Sequence, residues 1–564
     1  MTTPDPRELH GFGVGRGAAV GPVARAHPAP HVAQDLPAPL DLEAAKAAAE
    51  ASFAAVGKGL QARADEAAGT LAEVLGATAL MAKDPALLAQ VRTRIDGGAA
   101  AVVAVDRAIT EFSDMFLAAG GYLAERVTDL RSVRDRVVAH LEGLPEPGVP
   151  TLSRPSVVVA DDLAPADTAA LELDKVLAIV IEHGGPTGHT AIIAGQLGIP
   201  CVVRVIGATS LQDGVEVAVD AATGTVVVGP DDDVRQRVEA RRTALAALEQ
   251  DTAPGATADG HAVALLANIG TAEDAERIAD VAVEGVGLFR TEVLFLGRTS
   301  APTEDEQAEV YARVLTALGG RKVVIRTLDA GADKPLAFVT QAGEENPALG
   351  VRGFRLVRTA EDLLRTQLAA IGRAAAQTGQ EPWVMAPMVA TVDEAAQFAA
   401  IARDCGVRTV GVMVEVPSAA LRARDVVQEV DFVSLGTNDL AQYTMATDRL
   451  RGELVDLLDP WQPAVLDLVA ITARAGAEGG TPVGVCGESA ADPVMALVLT
   501  GMGVTSLSMS PAAVAGVRFA LGRHSLETCQ RIAEAATAGR TATESRAAAL
   551  ELVDPQVREV LALG

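Results

Sequence analysis

The sequence predicts a multidomain α/β protein in which an all-helical bundle interrupts a small α/β domain and a (β/α)8 barrel follows. Two observations support this architecture. With 564 residues, the chain is too long for a single hydrophobic core. Its pattern also changes twice, from an Ala-rich helical periodicity to short β-rich runs, and then to a regular alternation of strands and helices.

The helical region comes first. Apolar residues recur at helical spacing in DLEAAKAAAEASFAAV and ERVTDLRSVRDRVVAHLEGL, and Pro85 is the only proline between about Leu40 and Leu144. Because Pro85 follows Asp84, we expect a new helix to begin there after a turn. The pattern predicts a bundle of about four helices within residues 36–145, ended by the segment PEPGVP.

Short β-rich runs then indicate a compact α/β domain over residues 146–230, namely SVVVA, KVLAIVIE, CVVRV, VEVAVD and TVVVG. The opening segment GFGVGRGAAVGPVARA has the same strand-and-turn character. We therefore predict that residues 1–35 join 146–230 in one domain and that the helical bundle is an insertion. Residues 231–258 are predicted to form a linker helix and a loop.

The remaining segment, residues 259–564, alternates strands and helices. Eight strand candidates occur in order: AVALLAN, VGLFR, VVIRTLD, VMAPMV, GVMVEV, FVSLGT, VGVCGE and SLSMS. Eight βα units in about 300 residues are typical of a (β/α)8 barrel of the TIM type. An open doubly wound sheet is the structural alternative.

Polar groups collect where these predicted barrel strands end, which is where such barrels carry their active sites. Arginine binds phosphate and carboxylate groups bidentately, and carboxylates are oxygen ligands that suit Mg²⁺. Strand-end charge therefore predicts a site for an anionic ligand and a divalent metal. The residues concerned are Arg290, Arg326, Glu415, Asn438, Asp439, Cys486 and Glu488.

Additional positive charge lies in the loops after the third and sixth barrel strands. Lys334, Arg352 and Arg355 follow the third strand, and Arg449 follows the sixth. Each could be an ordinary surface ion-pair partner. Of the four, Arg352 and Arg449 are the better candidates for binding the anion.

His189 is a second focus, in EHGGPTGHTAIIAG, where a Gly-rich turn leads into an apolar helix. Backbone N–H groups and the helix dipole favour a phosphate at such a helix N-terminus. Neutral imidazole is also a competent nucleophile. A helix-capping or buried histidine is the alternative interpretation, and we interpret the neighbouring His183 as structural.

Composition limits the class of partner and the compartment. The net charge of −27 would repel a polyanion, so we expect no nucleic-acid binding. The four cysteines contain no CxxC pair, which favours a reducing cytoplasm. No apolar signal segment opens the sequence and no apolar run reaches membrane-spanning length, so we expect an intracellular protein without membrane insertion.

Seven motifs taken together resemble those of one family. GGPTGHTAIIAGQLGIP resembles the phosphohistidine motif of enzymes that use phosphoenolpyruvate. The barrel segments resemble further motifs of the same enzymes: GLFRTEVLF, VVIRTLDAGADKP, NPALGVRGFR, VMVEVPSAA, SLGTNDLAQYTMATDR and GVCGESAAD. Their order along the chain resembles enzyme I of the phosphoenolpyruvate:sugar phosphotransferase system over essentially the whole length.

The resemblance implies a role for each matching residue. His189 would be the nucleophile that is phosphorylated in a swivelling phosphohistidine domain, and Cys486 would be the proton donor. The helical insertion would dock HPr, the small carrier protein, and the barrel would form a homodimer. Phosphoenolpyruvate would be bound by Arg290, Arg326, Arg352, Asn438, Asp439 and Arg449, with Mg²⁺ held by Glu415 and Asp439.

The sequence departs from the family pattern in places. Gly195 stands six residues after the histidine, where the pattern has an arginine, so transfer to the carrier could be slower. Ala332 stands where the pattern has glycine, and Pro186 and Gly188 replace an arginine and a serine. Thr168, in PADTAAL, is a hypothetical partner that orients His189.

Two related functions compete with this interpretation. A dikinase or synthase would share the histidine domain and barrel but would need an added ATP-binding domain, and no GxxxxGK[ST] motif occurs. A regulatory paralogue would bind phosphoenolpyruvate with little turnover. The joint presence of His189, Glu415, Asp439 and Cys486 favours the enzyme.

Overall fold

The computed structural model describes residues 7–563 except 16, 67–69, 120–125, 164–166, 168–170, 186–188, 297, 331–335, 337, 340–343, 345 and 450–451. The chain divides into two compact units, one ending at Ala244 and the other spanning Leu245–Leu563. The division falls inside the helix Asp232–Glu249, within the segment that the sequence predicted to be a linker.

The first unit contains an eight-stranded mixed sheet. Strand β3 (Ala18–Arg25) pairs in parallel with β4 (Ser156–Ala160), although the whole bundle lies between them in sequence, so the bundle is an insertion between neighbouring strands. Val157 and Val159 pack on one face of the sheet while Val158 and Ala160 pack on the other. The sheet order is β1-β8-β7-β3-β4-β5-β6-β2, from β1 (Arg7–His10), β2 (Phe12–Val14), β3 (Ala18–Arg25), β4 (Ser156–Ala160), β5 (Val176–Ile181), β6 (Cys201–Val203), β7 (Glu216–Asp220) and β8 (Thr225–Val228).

The inserted bundle shows five helices within the described residues, one more than the sequence predicted. The segment from Leu42 to Met81 is Ala-rich and has no proline, so its periodicity does not reveal that it holds two helices. The helix at Pro85 begins as expected, since the Asp84 carboxylate accepts hydrogen bonds from the backbone N–H groups of Ala86 and Leu87. The helices are Leu42–Glu66, Thr70–Met81, Pro85–Asp96, Ala101–Ala119 and Val127–Glu142.

The second unit is a closed barrel of eight parallel strands. Each strand pairs with the next, and the last strand, β16 (Ser506–Met509), pairs with the first, β9 (Ala264–Ile269), to close the barrel. This closure confirms the predicted (β/α)8 fold and excludes an open sheet. All eight predicted segments contain a strand. They are β9 (Ala264–Ile269), β10 (Gly285–Arg290), β11 (Lys322–Arg326), β12 (Trp383–Ala386), β13 (Thr409–Val414), β14 (Phe432–Leu435), β15 (Val483–Val485) and β16 (Ser506–Met509).

Helices surround these strands, and side chains alternate between the two faces of the barrel wall. Val323 and Ile325 pack outward against the helices, whereas Val324 packs inside with Met413 and Cys486. The alternation directs Arg326 inward at the carboxyl end of β11. The longer helices are Glu304–Leu318, Val357–Thr378, Val392–Asp404, Pro463–Gly479, Pro493–Gly501, Pro511–Gly522, Leu526–Thr537 and Ala542–Glu551.

Candidate active site

A cavity of about 190 Å³ opens at the carboxyl ends of the barrel strands. It is lined by all seven strand-end residues that the sequence singled out and by the two better loop candidates, Arg352 and Arg449. Residues from β10, β11, β13, β14 and β15 and the loops after them meet there, because all parallel strands end at one rim. The lining includes Arg290, Glu292, Arg326, Asp329, Arg352, Glu415, Asn438, Asp439, Arg449, Cys486 and Glu488.

Arg326 is buried at this rim and is held by two carboxylates. Its Nη2 pairs with Glu292, and its Nη1 lies 3.6 Å from Oδ2 of Asp329. Burial alone would lower the pKa of Arg326, but the negative charges of Glu292 and Asp329 outweigh it and raise the pKa. The guanidinium Nε and Oε2 of Glu292 are buried without a hydrogen-bond partner among the described residues. Arg326 therefore keeps donor capacity for a ligand.

Arg352 follows the third barrel strand and is fixed by Asp329. Its Nη2 lies 2.7 Å from Oδ2 and its Nε 3.2 Å from Oδ1, so the pair is bidentate. Its Nη1 donates to Asp439 at 3.3 Å and to the Tyr443 hydroxyl at 3.2 Å. Burial would raise the pKa of Asp329, but Arg326 and Arg352 outweigh it and lower that pKa.

Arg290 ends β10 and also faces the cavity. Burial lowers the pKa of its guanidinium, and the positive charge of Arg326 adds to the effect. Arg449 lies nearby, with Nη1 at 3.6 Å from Oδ2 of Asp439. The cavity thus gathers four arginines, and the repulsion between Arg290 and Arg326 would be relieved by a bound anion.

Glu415 and Asp439 are the candidate metal ligands. Both are buried, and Oε1 of Glu415 accepts a hydrogen bond from the Met388 backbone N–H at 2.7 Å. Burial raises the pKa of Glu415, and the nearby charges of Asp439 and Asp329 add to the rise. A cation beside these carboxylates would relieve that repulsion. Two carboxylates suit Mg²⁺, which keeps several waters and also binds substrate phosphate oxygens.

Cys486 follows β15 and lies inside the barrel. Its thiol donates to the Leu435 carbonyl at 3.6 Å. Burial raises the pKa of the Cys486 thiol, although a hydrogen bond with Ser434 and the charge of Arg326 act in the opposite direction. The group is therefore held as a protonated thiol at neutral pH. Beside it, the amide oxygen of Asn438 accepts from the Glu488 backbone N–H at 3.3 Å.

His189 lies in the first unit, where it is the first residue of the helix His189–Leu197. The following Thr190 donates to the Leu163 carbonyl at 3.2 Å. His183 is exposed, and its Nδ1 lies 2.6 Å from the Asp161 carboxylate, which raises the pKa of His183. The side chain of His189 and the whole of Thr168 lie outside the described residues.

Of the two other basic residues named from the sequence, Arg355 is described and does not line the cavity. Arg355 donates to the carbonyls of Leu349 and Gly350, so it supports the loop after β11. Lys334 lies outside the described residues. Gly195 is described, and a Cβ added there would meet only Cγ1 of Val14, at an ordinary contact distance of 3.7 Å.

Sequence reasoning missed the residues that hold the arginines, namely Glu292, Asp329 and Tyr443. Glu292 comes two residues after Arg290, and Asp329 comes three residues after Arg326, so both lie directly beyond a strand end. This position was a usable signal. Tyr443 lies on the helix Thr437–Thr444, and its sequence context carries no comparable signal.

Comparisons with known proteins identify the family of the chain. Three family models match: PEP-utilising enzyme, N-terminal, over residues 10–126; PEP-utilising enzyme, mobile domain, over residues 152–224; and PEP-utilising enzyme, PEP-binding domain, over residues 245–526. The phosphoenolpyruvate-protein phosphotransferase of Streptomyces coelicolor is 50% identical over 549 residues, covering 96% of this chain and 98% of that protein.

Two other proteins extend the comparison. The phosphoenolpyruvate-protein phosphotransferase of a Bacillus species is 37% identical over 564 residues, covering 95% of this chain and 97% of that protein. A solution structure of an Enzyme I (nEIt) protein, 27% identical, covers 42% of this chain and 98% of that chain with a TM-score of 0.37.

The barrel, its cavity and the matched models define a phosphoenolpyruvate-utilising enzyme. The chain belongs to the phosphoenolpyruvate-protein phosphotransferases, the enzyme I family, and it is a transferase that acts in phosphoenolpyruvate-dependent phosphoryl transfer. Within the described residues, no helix is both long and apolar enough to cross a membrane.

Proposed function

We propose that this chain transfers the phosphoryl group of phosphoenolpyruvate to His189 and then to HPr, the small carrier protein that serves sugar uptake. One observation carries the proposal: a single cavity collects four arginines, two candidate metal ligands and a protonated thiol. Phosphoryl transfer is achieved mainly by positioning and by neutralising charge, and these groups can do both.

The arginines account for substrate binding. Phosphoenolpyruvate carries a phosphate and a carboxylate, and guanidinium groups bind both geometries bidentately. Burial, and then the positive charge of Arg326, lower the pKa of Arg290, so an anion beside these two guanidinium groups is favoured. Arg352 and Arg449 add charge on the Asp439 side, and Asn438 offers an amide to the same ligand.

Glu415 and Asp439 would hold Mg²⁺. The two carboxylates line one cavity, and burial, followed by the negative charges of Asp439 and Asp329, raises the pKa of Glu415. Bound Mg²⁺ supplies neutralisation of the phosphoryl oxygens as the phosphorus–oxygen bond breaks. Among the described residues, no group of three or more His, Cys, Asp and Glu side chains has metal-binding geometry.

Cys486 would complete the reaction as an acid. When the imidazole of His189 takes the phosphoryl group, the bridging bond breaks and the enolate of pyruvate remains. Its terminal carbon needs a proton, which the Cys486 thiol can give before solvent reprotonates the sulfur. The raised pKa of this buried thiol suits an acid better than a nucleophile.

The proposed partner protein, oligomeric state and compartment are supported by the family, and the partner also by exposed apolar surface on the bundle. Three large apolar side chains, Leu80, Met115 and Leu117, are exposed near the ends of two bundle helices. Such apolar groups on a charged helical surface support docking of a small protein such as HPr. We further propose that the barrel forms a homodimer and that the protein works in the cytoplasm.

The proposal is tested with phosphoenolpyruvate that carries a labelled phosphate. Purified protein and Mg²⁺ should release pyruvate and hold acid-labile label, His189→Ala should hold none, and added HPr should discharge the wild-type label. Binding of phosphoenolpyruvate without label or pyruvate would instead indicate a regulatory paralogue. Label from ATP would indicate a dikinase or synthase.

A further inference from the structure

A buried glutamine lies behind the rim of the active-site cavity. Gln367 belongs to the helix Val357–Thr378, whose apolar side chains pack against the outside of the barrel strands. Its side chain is buried, yet it does not line the cavity. Glutamine is usually exposed, because burying an amide costs free energy unless its hydrogen-bonding groups are satisfied. Neither ligand contact nor apolar packing therefore accounts for a glutamine at this position.

Hydrogen bonds satisfy both ends of the Gln367 amide. Oε1 accepts from the Leu328 backbone N–H at 2.9 Å. Nε2 donates to the Thr291 hydroxyl at 3.1 Å and to the Tyr311 hydroxyl at 3.0 Å. A backbone N–H can only donate, so the amide oxygen must face Leu328 and the nitrogen must face the two hydroxyl groups. Both amide hydrogens are thus used, and the side chain has one defined orientation.

Leu328 and Thr291 belong to the two segments that carry cavity residues from β10 and β11. Thr291 directly follows Arg290, and its hydroxyl donates to the Arg326 backbone carbonyl at 2.8 Å. Leu328 directly precedes Asp329. Arg290, Arg326 and Asp329 all line the cavity. One amide on the outer helix therefore ties both rim segments together.

Strand pairing does not hold the Leu328 end of this link. The pairing of β11 with β12 ends at Arg326 opposite Met385, and the Thr327 N–H donates to the Met385 carbonyl. One residue further along, the Leu328 N–H donates to the Gln367 side chain instead. An apolar residue at position 367 would leave this buried N–H without that acceptor, at a cost that a backbone shift can relieve. The segment that follows β11 would then move.

We propose that Gln367 is a positioning residue for phosphoenolpyruvate, one that sets the spacing of Arg290 and Arg326 from outside the cavity. This role rests on the proposed function of that cavity. Guanidinium groups bind phosphate and carboxylate bidentately only when they are correctly placed, and a misplacement of about 1 Å can cost about 10²-fold in rate. Because these arginines hold the charge of the substrate before and during transfer, a smaller shift should appear mainly as weaker binding.

The first test is Gln367→Met in the full-length protein, which keeps the side-chain length and removes all three hydrogen bonds. The KM for phosphoenolpyruvate, measured from pyruvate formation with Mg²⁺ and saturating HPr, should rise about tenfold while kcat falls by no more than about twofold. Tyr311→Phe is the matched control, because it removes buried hydrogen bonds to Gln307 and Gln367 but none to the rim segments. It should lower the melting temperature and leave KM within about twofold of the wild-type value.

A second pair of variants tests the same link from the rim. Thr291→Val keeps the shape of the side chain but removes the hydroxyl that joins Gln367 to the Arg326 carbonyl, so KM should rise several-fold. Thr291→Ser keeps the hydroxyl and should have the wild-type KM. In the double variant Thr291→Val/Gln367→Met, KM should stay within about twofold of the higher single value, because both changes break one link.

These measurements distinguish positioning from a general loss of stability. An active wild type with an unchanged KM in Gln367→Met, an equal rise in Tyr311→Phe, or effects that multiply in the double variant would overturn the proposal. If Gln367→Met fails to fold, Thr291→Val decides, and a wild-type KM there would overturn it. A wild-type protein that forms no pyruvate would overturn the proposed function and, with it, this role of Gln367.

Discussion

Asp329 contacts two of the four cavity arginines, so the proposed geometry of phosphoenolpyruvate binding depends on its carboxylate. Its carboxylate is bidentate to Arg352 and lies 3.6 Å from Arg326. An amide keeps the shape but loses the charge that fixes both guanidinium groups. Asp329→Asn should therefore raise the KM for phosphoenolpyruvate about tenfold or more, in line with a lost charge-assisted pair of about 1.5–3 kcal/mol.

The matched control for this prediction is Asp404→Asn, because Asp404 also pairs with an arginine but lies exposed on the outer surface of the barrel. Its pairing with Arg365 should contribute at most about 1 kcal/mol to stability and nothing to KM. Steady-state kinetics at saturating Mg²⁺ measure both variants. An unchanged KM in Asp329→Asn would show that the arginines are positioned by other groups.

Cys486 supports a prediction that separates proton donation from phosphoryl transfer. Removing the thiol in Cys486→Ala leaves the arginines and Glu415 in place, so phosphoenolpyruvate should still bind. Steady-state pyruvate formation should fall about 10²-fold to 10⁴-fold, the usual contribution of a positioned acid. Cys405→Ala, elsewhere in the same unit, should retain the wild-type rate. Wild-type turnover in Cys486→Ala would exclude the thiol as the acid.

Gly195 supports a prediction about charge near the nucleophile. Among the described residues, a Cβ at Gly195 would make only an ordinary contact with Cγ1 of Val14, and replacing a helical glycine should stabilise the helix by about 0.5–1 kcal/mol. Gly195→Arg should also speed transfer to the carrier several-fold, because a cation near His189 would neutralise negative charge on the phosphoryl group during its transfer. Gly195→Ala is the control: it should stabilise the helix in the same way but leave the rate of transfer to the carrier unchanged. Equal transfer rates in both variants would show that charge at this position is unimportant.

The residues proposed to bind ligands could be singled out from the sequence. The residues that position those side chains could be predicted only in part. Arg290, Arg326 and Glu415 stand at strand ends within family-like motifs, so their position and chemistry agree. Asp329 also lies near a strand end, but its role depends on the approach of Arg352 from a separate loop. That approach is a long-range contact, and local sequence does not specify it.

At the scale of elements, the loop after β14 depends on a glycine. A Cβ on Gly436 would lie 2.7 Å from Oε2 of Glu415 and 2.9 Å from Sδ of Met413, so an alanine there must displace one of them. Gly436→Ala should raise the Mg²⁺ concentration needed for half-maximal activity about tenfold, because it moves a ligand oxygen.

Gly522→Ala is the control for this substitution. Gly522 ends the helix Pro511–Gly522, and a Cβ there meets no atom within 4 Å. It should leave the Mg²⁺ dependence unchanged. Titration of pyruvate formation with Mg²⁺ compares the two variants, and a wild-type curve for Gly436→Ala would contradict the assignment of Glu415 as a ligand.

The elements themselves were largely predictable, because their signals are local. Short strand-like runs marked all eight barrel strands, and the Asp84–Pro85 pair marked a helix start. The break between Glu66 and Thr70 carried no proline, and the helix count of the bundle was too low as a result. Barrel closure rests on pairing of β16 with β9, which are far apart in sequence; only the number of βα units indicated it.

At the scale of the whole molecule, the proposed nucleophile and the barrel cavity belong to different compact units joined through the helix Asp232–Glu249. His189 lies in the first unit, and Arg326, Glu415 and Cys486 lie in the second. Each unit has its own buried core. Autophosphorylation then requires the units to meet, and the covalent connection supplies an effective concentration in the millimolar range.

Cutting that connection gives the last prediction. A protease site inserted after Gln250 should leave the intact protein active, with a rate per molecule that does not depend on dilution. After cleavage, phosphorylation from phosphoenolpyruvate at about 1 μM protein should fall about 10³-fold and become dilution-dependent, because the encounter is now bimolecular. If HPr docks on the helical bundle as proposed, transfer from phosphorylated HPr back to His189 needs only the first unit and should survive cleavage. A cleaved protein that keeps its full, dilution-independent rate would show that the units are held together by contacts and not by the chain.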